Sequence, residues 1–240
     1  MLNPLEQFLV KPVVNVDVFS HNIQITNSTI TFLATYFIIL LLTRIACHKV
    51  SLVPGKIQAC GEIIFQLING MLISTAGKNS QKFFTLIFSL FMFILISNSV
   101  GMIPSVFTTT SHISVTFTLA IFVFITITAI GFVKNGIGYF SILLPKGTPM
   151  FLAPLIIFIE LFAYLARPIS LSIRLAANMT AGHVVLKVLA TFVILSGLFG
   201  IMPLILLTIL TGFEIFISIL QAYIFSVLTC AYLNDALNLH

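Results

Sequence analysis

The stretch Ala166–His183, ARPISLSIRLAANMTAGH, sits inside a long apolar run yet carries Arg167, Arg174, Asn178 and His183, with Glu160 a little upstream. A cation at the centre of a lipid-buried helix costs roughly 2.5–3.5 kcal/mol on insertion scales. Arginine cannot escape that cost by deprotonating, because its pKa stays above about 12. Arg174 therefore requires a partner or a polar cavity.

Composition makes lipid the relevant solvent. The 240 residues are 59% hydrophobic and 7% charged, against about 25% charged in soluble domains, and the mean hydropathy is +1.18. So few charges could not cover the surface of a soluble domain of this length. The net charge of +5 comes from scattered residues and forms no basic stripe, which argues against a nucleic-acid partner. Cys47, Cys60 and Cys230 have neither metal-ligand spacing nor a disulfide framework and read as small apolar fillers.

Met1–Thr26 is mixed and mildly polar. With Glu6, Asp17 and no Arg, it lacks the composition of a transit peptide, and no short apolar run follows a basic start as in a signal peptide. The chain is expected to be made in its own compartment or inserted by its first apolar helix. The hydropathy pattern then predicts an all-α integral membrane protein with five membrane-embedded helical segments and one amphipathic surface helix. The embedded segments are residues 28–45, 83–100, 113–133, 150–195 and 201–233. Residues 56–82 differ in kind, because apolar positions such as Ile57, Ile64 and Leu67 alternate at helical spacing with Gln58, Glu62, Gln66 and Asn69. That pattern reads as a helix on the membrane surface or against neighbours.

The fourth segment has about 46 residues, where a perpendicular span needs only about 20. It must tilt, bend or break, and Pro168 and the small residues Ala176, Ala177, Ala181 and Gly182 are natural bend points. Segments four and five are expected to form a long tilted hairpin. Seven of the eleven basic residues fall in two regions, Arg44 through Lys82 and Lys134 to Lys146, while the loop between the second and third spans is uncharged. The positive-inside rule puts both basic regions on the negative side, with the N-terminus outside and the C-terminus, near Asp235, inside.

Glu160, Arg167 and Arg174 are spaced by seven, which draws one drifting stripe on a helix, and Asn178 continues it. His183 lies nine residues beyond Arg174, near the opposite face and about 13 Å along the axis. In the last segment Glu214, Ser218 and Gln221 form a second stripe at i, i+4 and i+7. Carboxylates and imidazole accept and release protons and mark relays in membranes. Arginine holds its proton and acts instead as a barrier and an attractor for a carboxylate. No carboxylate of this chain falls within one turn of Arg174. Its counter-charge is then Glu160 or Glu214 in a packing pair, or a group on another subunit.

Ser172–His183, SIRLAANMTAGH, resembles the signature of subunit a of F-type ATP synthases. Glu160, fourteen residues before Arg174, and Gln221, seven after Glu214, match that family's pattern. The His183–Glu214 pairing resembles its mitochondrial form, and the opening Asn3–Phe8, NPLEQF, is similar to plant and protist mitochondrial members. The resemblance implies a mitochondrial inner-membrane protein with its N-terminus in the intermembrane space and its C-terminus on the matrix side. It implies as partners the c-subunit ring, a peripheral-stalk b-type subunit, other Fo subunits and membrane lipid, with dimerisation of the complex as a further assembly. Arg174 would face the ring and its carboxylate. His183, Glu214, Asn178 and Gln221 would belong to an outer proton half-channel, and Glu160 to an inner one.

Bland alternatives stand beside these roles. Arg167 can snorkel or meet lipid headgroups, Lys187 can anchor or line the inlet, and Asn178 and Gln221 can act as helix–helix glue. Glu62 reads as solvated or inter-subunit, and Asp235 as a surface residue. Two ligands are too few for most metal sites, and the chain has neither a P-loop nor a phosphate cradle. No cofactor and no catalytic residue is therefore expected. A secondary transporter would show internal repeats, which this sequence lacks; a non-conducting structural subunit of a respiratory complex is the other reading.

Overall fold

The computed structural model describes residues 9–18, 21–47, 51, 53–103, 106–143 and 151–238. Residues 1–8, and with them the NPLEQF motif, lie outside the described residues. So do His48, Lys49, Pro104, Lys146, Gly147, Pro149 and Met150.

Strands β1 (Pro12–Val18) and β2 (His21–Thr26) pair antiparallel, with Pro12 opposite Thr26 and an irregularity between Pro12 and Val14. The sequence reading had no hairpin here. Its junction with α1 (Asn27–Cys47) is tied by Asn27, whose Oδ1 accepts from the backbone N–H groups of Ser28 and Lys11 and whose Nδ2 donates to the Leu9 carbonyl. One side chain thus satisfies an orphan donor of the helix start and pins the residues that lead into β1.

Five further helices follow: α2 (Lys56–Ala76), α3 (Phe84–Gly101), α4 (Ile113–Asn135), α5 (Ala153–Leu195) and α6 (Ile201–Leu237). All six helices are long and apolar enough to cross a membrane. The chain is an all-α integral membrane protein, and α2 differs only in being the least hydropathic of the six. It stops at Ala76 because Gly77 takes φ +78°, and a 3-10 turn over Lys78–Phe83 leads into α3. Glu62 is exposed on α2 and accepts from Gln58 at 2.8 Å. Helix α5 runs unbroken over Pro168, whose missing N–H neighbouring groups in membrane helices accommodate.

Outward-facing apolar side chains dominate the surface. Thr35 is the buried residue of α1, while Leu33, Phe37 and Leu41 are exposed. Phe158, Phe162, Phe213 and Phe216 are likewise exposed on α5 and α6. A helix that is apolar all round suits lipid, where only internally bonded backbone survives. Of the cysteines, Cys230 is buried, whereas Cys47 and Cys60 are exposed. Only one of the three is therefore a core filler, because an apolar thiol facing lipid needs no burial.

The described residues divide into two compact units. One contains the hairpin, α1, Met92–Ile113 and Leu175–Ala222. Its core combines Ile94, Phe107, Leu175 and Met179 with an unusual share of buried hydroxyl and amide groups. The other contains α2, the start of α3, α4, Ala153–Arg174 and the last part of α6. Ile68, Leu72, Ile87, Val123, Ile127 and Leu233 make its apolar core. The division cuts α5 between Arg174 and Leu175.

Candidate functional site

Helices α5 and α6 each bring one ionisable side chain into the polar core of the first unit. His183 is 6% exposed and Glu214 7% exposed, and His183 Nδ1 stands 3.8 Å from Glu214 Oε1. That distance allows an ionic contact when His183 is protonated, but no direct hydrogen bond. The approach depends on Gly182, because a Cβ there would collide with the Glu214 carboxylate. The sequence reading took Gly182 as one of the natural bend points of the long segment. Its place is instead against Glu214, while Ala177 and Ala181 are the exposed small residues of this stretch.

Around the pair, the segment after α3 supplies hydroxyls. Thr108 lies 3.4 Å from His183 Nε2, and Thr180 donates to the Ser111 carbonyl at 3.2 Å. Asn98, wholly buried on α3, donates to the Ser218 carbonyl at 3.4 Å. Several buried polar atoms have no hydrogen-bond partner among the described residues: both Glu214 carboxylate oxygens, Asn98 Oδ1, and the hydroxyls of Ser97, Thr110 and Ser218. Buried polar groups are normally satisfied, and where protein does not do so water does, typically with about three hydrogen bonds each. The cluster is thus suited to carry water into a low-dielectric interior beside two proton-exchanging groups.

Asn178 and Gln221 are half-buried in the same unit. Neither bonds to Glu214, whose oxygens receive no hydrogen bond. Sequence reasoning found His183, Glu214 and Ser218 but missed Asn98, Ser97, Thr108 and Thr110 as parts of the cluster. A signal was present for Asn98, since an amide in an apolar span is expensive to bury unpaired.

In the second unit, Arg174 is exposed on α5, in line with exposed Ala163, Ala166 and Ser170 at helical spacing and beside exposed Ile173. Among the described residues no salt bridge reaches it. Among the described residues Arg174 forms no ion pair with Glu160 of the same helix. Glu160 is half-buried on α5. Arg167, spaced as part of the same stripe, is turned to a different use. It bonds Asp235 at 3.0 Å, and its guanidinium lies 4.8 Å from the Tyr232 ring centroid and 5.5 Å from that of Tyr164. Arg167 is thus bonded within the chain where the sequence reading had it snorkelling or meeting lipid headgroups, and Asp235 is its partner. The two are 68 residues apart in the chain, so no local signal could have joined them.

That unit closes its other polar groups as well. Tyr164 shares hydrogen bonds with Thr128 at 2.6 Å and Tyr139 at 2.9 Å, and the Tyr139 ring fills the space over Gly131. Lys134 and Asn135 donate to the carbonyls of Leu237 and Ala236, the orphan acceptors at the end of α6. Among the described residues no cluster of three or more metal-ligating side chains forms.

A comparison with known protein families finds a match over residues 27–234, all of the helices but the last residues of α6, to the family described as ATP synthase A chain.

Proposed function

The chain belongs to the ATP synthase A chain family, the F-type subunit a, a multi-pass proton-translocating subunit of Fo that associates with the c-ring, and on that premise we propose how its residues divide the proton path. His183 and Glu214 are the relay of an outer aqueous half-channel, with Asn178 and Gln221 in its lining. Glu160 belongs to an inner half-channel, and Arg174 separates the two.

A proton entering from the outer side passes from the relay to a carboxylate of the c-ring. The neutral carboxyl tolerates lipid and is carried round by rotation. At the inner half-channel it releases the proton near Glu160, and the resulting carboxylate is drawn to Arg174. The guanidinium cannot give up its proton, so it blocks direct leakage between the two halves. Each charge crossing 100 mV supplies about 2.3 kcal/mol to rotation. Nucleotide chemistry belongs to partner subunits.

The observation that carries this reading is the buried Glu214 carboxylate, without a hydrogen-bond partner among the described residues and 3.8 Å from His183 in a strongly apolar chain. Arg174, exposed on an apolar helix and without a salt bridge among the described residues, supports the second half, since a cation there calls for a counter-charge. The remaining features follow the resemblance: five spans with α2 at the surface, a mitochondrial inner membrane, the N-terminus in the intermembrane space, the C-terminus toward the matrix, a b-type stalk partner and a dimeric complex.

The test is Arg174→Ala in the assembled complex, reconstituted in vesicles. ATP-driven proton uptake and ATP synthesis are expected to fall to background with the c-ring still bound. Uptake equal to wild type would make the chain a non-conducting structural subunit. Disulfide trapping from cysteines at Ser170, Ile173 and Ala177 to the c-subunit carboxylate helix is expected to succeed, and its failure from all three would remove the Arg174 role.

A further inference from the structure

The second unit carries a groove of about 960 Å³ that the proton path does not use. Lys78 and Lys82 come to it from the 3-10 turn before α3, and Lys134 from the end of α4. Ile125, Ile130 and Val133 of α4 form its apolar side. The two basic regions that the sequence separates by half a hundred residues thus meet at one opening. Lys134 spends one donor on the Leu237 carbonyl at 2.8 Å, and an ammonium has three. Among the described residues none of the three forms a salt bridge with a carboxylate.

We propose that this groove is a binding site for an anionic glycerophospholipid, with Lys78, Lys82 and Lys134 holding the phosphate headgroup and Ile125, Ile130 and Val133 receiving an acyl chain. Charge complementarity and amphipathic shape carry the assignment. Three lysines line the groove with no carboxylate partner among the described residues, and the apolar wall faces outward, with Val133 89% and Ile125 59% exposed. Basic pockets between membrane helices recognise lipid phosphates in this manner. The volume lies at the upper end of the roughly 300–1,000 Å³ of ligand pockets, room for a headgroup and the first part of a chain. A free phosphate would leave the apolar wall unused, and a zwitterionic lipid would leave the three charges uncompensated. The inference is independent of Arg174 and of the half-channels.

The experiment uses the assembled complex in detergent and photoreactive phosphatidylglycerol bearing its label on an acyl chain. The expected result is labelling of α4 between Ile125 and Val133 that unlabelled phosphatidylglycerol competes away. Each lost ammonium weakens an anionic headgroup's hold by about fivefold, so Lys78→Gln/Lys82→Gln/Lys134→Gln should retain less than about a tenth of the label. The triple Arg variant, which keeps the charge, should retain most of it. Equal labelling by phosphatidylcholine, unchanged labelling in the Gln variant, or displacement by inorganic phosphate alone would each overturn the proposal. So would a photocrosslinker at Ile130 that captures a protein subunit in place of lipid. If the triple Gln variant does not assemble, the wild-type competition and Lys82→Gln alone decide.

Discussion

In one unit Arg167, Asp235, Tyr164, Tyr139 and Thr128 answer one another's hydrogen-bonding needs; in the other, Glu214, Ser218, Asn98, Ser97 and Thr110 keep atoms with no hydrogen-bond partner among the described residues. Both sets lie in a strongly apolar chain, where an unmet polar group costs several kcal/mol in hydrocarbon. A closed network orders helices and gives nothing a proton can enter. An open one is stable only if water completes it, and completion by water is what a conducting path requires. The difference separates the charged groups that hold the structure from those that carry function, which residue type alone does not do. Arg167 and Arg174 make the point: identical side chains seven residues apart on one helix, one bonded at 3.0 Å to Asp235 and the other exposed.

The comparison breaks most severely at Gly182. Gly182→Val would push the Glu214 carboxylate from its place beside His183. Misplacement of a reacting group by about 1 Å can cost about hundredfold, and a loss of that order in proton flux is expected in complexes that still assemble. Normal flux would mean that the pair does not relay. Next in size is Asn98→Leu, which removes a buried amide from the open cluster. A loss near tenfold is expected, the equivalent of about 1.4 kcal/mol and one hydrogen bond, and reconstituted proton uptake reads it directly.

Substitutions in the closed network should do the reverse, moving stability and leaving flux alone. Arg167→Leu strands Asp235, but their side chains are 22% and 34% exposed, so screening limits the loss to about 1 kcal/mol. The heat-dissociation temperature of the membrane sector should fall, and Asp235→Leu on top of it should cost less than it does alone. Additive losses would show that the pair is not coupled. Smallest is Tyr139→Phe, which removes one neutral hydrogen bond to Tyr164. About 0.5–1 kcal/mol of stability is at stake, with flux per assembled complex unchanged; a flux defect would put Tyr139 on the proton path and blur the comparison.

Much of the fold was legible because lipid simplifies the code. A run long and apolar enough to span has to be a helix, so α1, α3, α4, α5 and α6 stand within a few residues of their expected bounds. The break in residues 56–82 was less legible, since Gly77 acts through a single positive φ. The β1–β2 hairpin was not read, although Val14–Val18 and Ile23–Thr26 alternate apolar with polar residues. Of the site, His183 and Glu214 could be paired in advance because ionisable groups in a span have few permitted uses. The partners that decide their environment, Asn98 and Thr108, sit on a different helix and a loop, and only tertiary contact reveals them.

By itself, then, the sequence determined the solvent, the helices, the family motif and the absence of a local counter-charge for Arg174. All of these follow from composition, spacing and the fixed geometry of a helix. Only the tertiary structure decided which polar groups are spent on one another: that Arg167 takes Asp235, that Gly182 admits Glu214, and that Lys78, Lys82 and Lys134 converge on one groove. Those outcomes depend on which faces meet across dozens of residues, and in lipid every such meeting determines whether a polar group is satisfied, solvated or left for a partner.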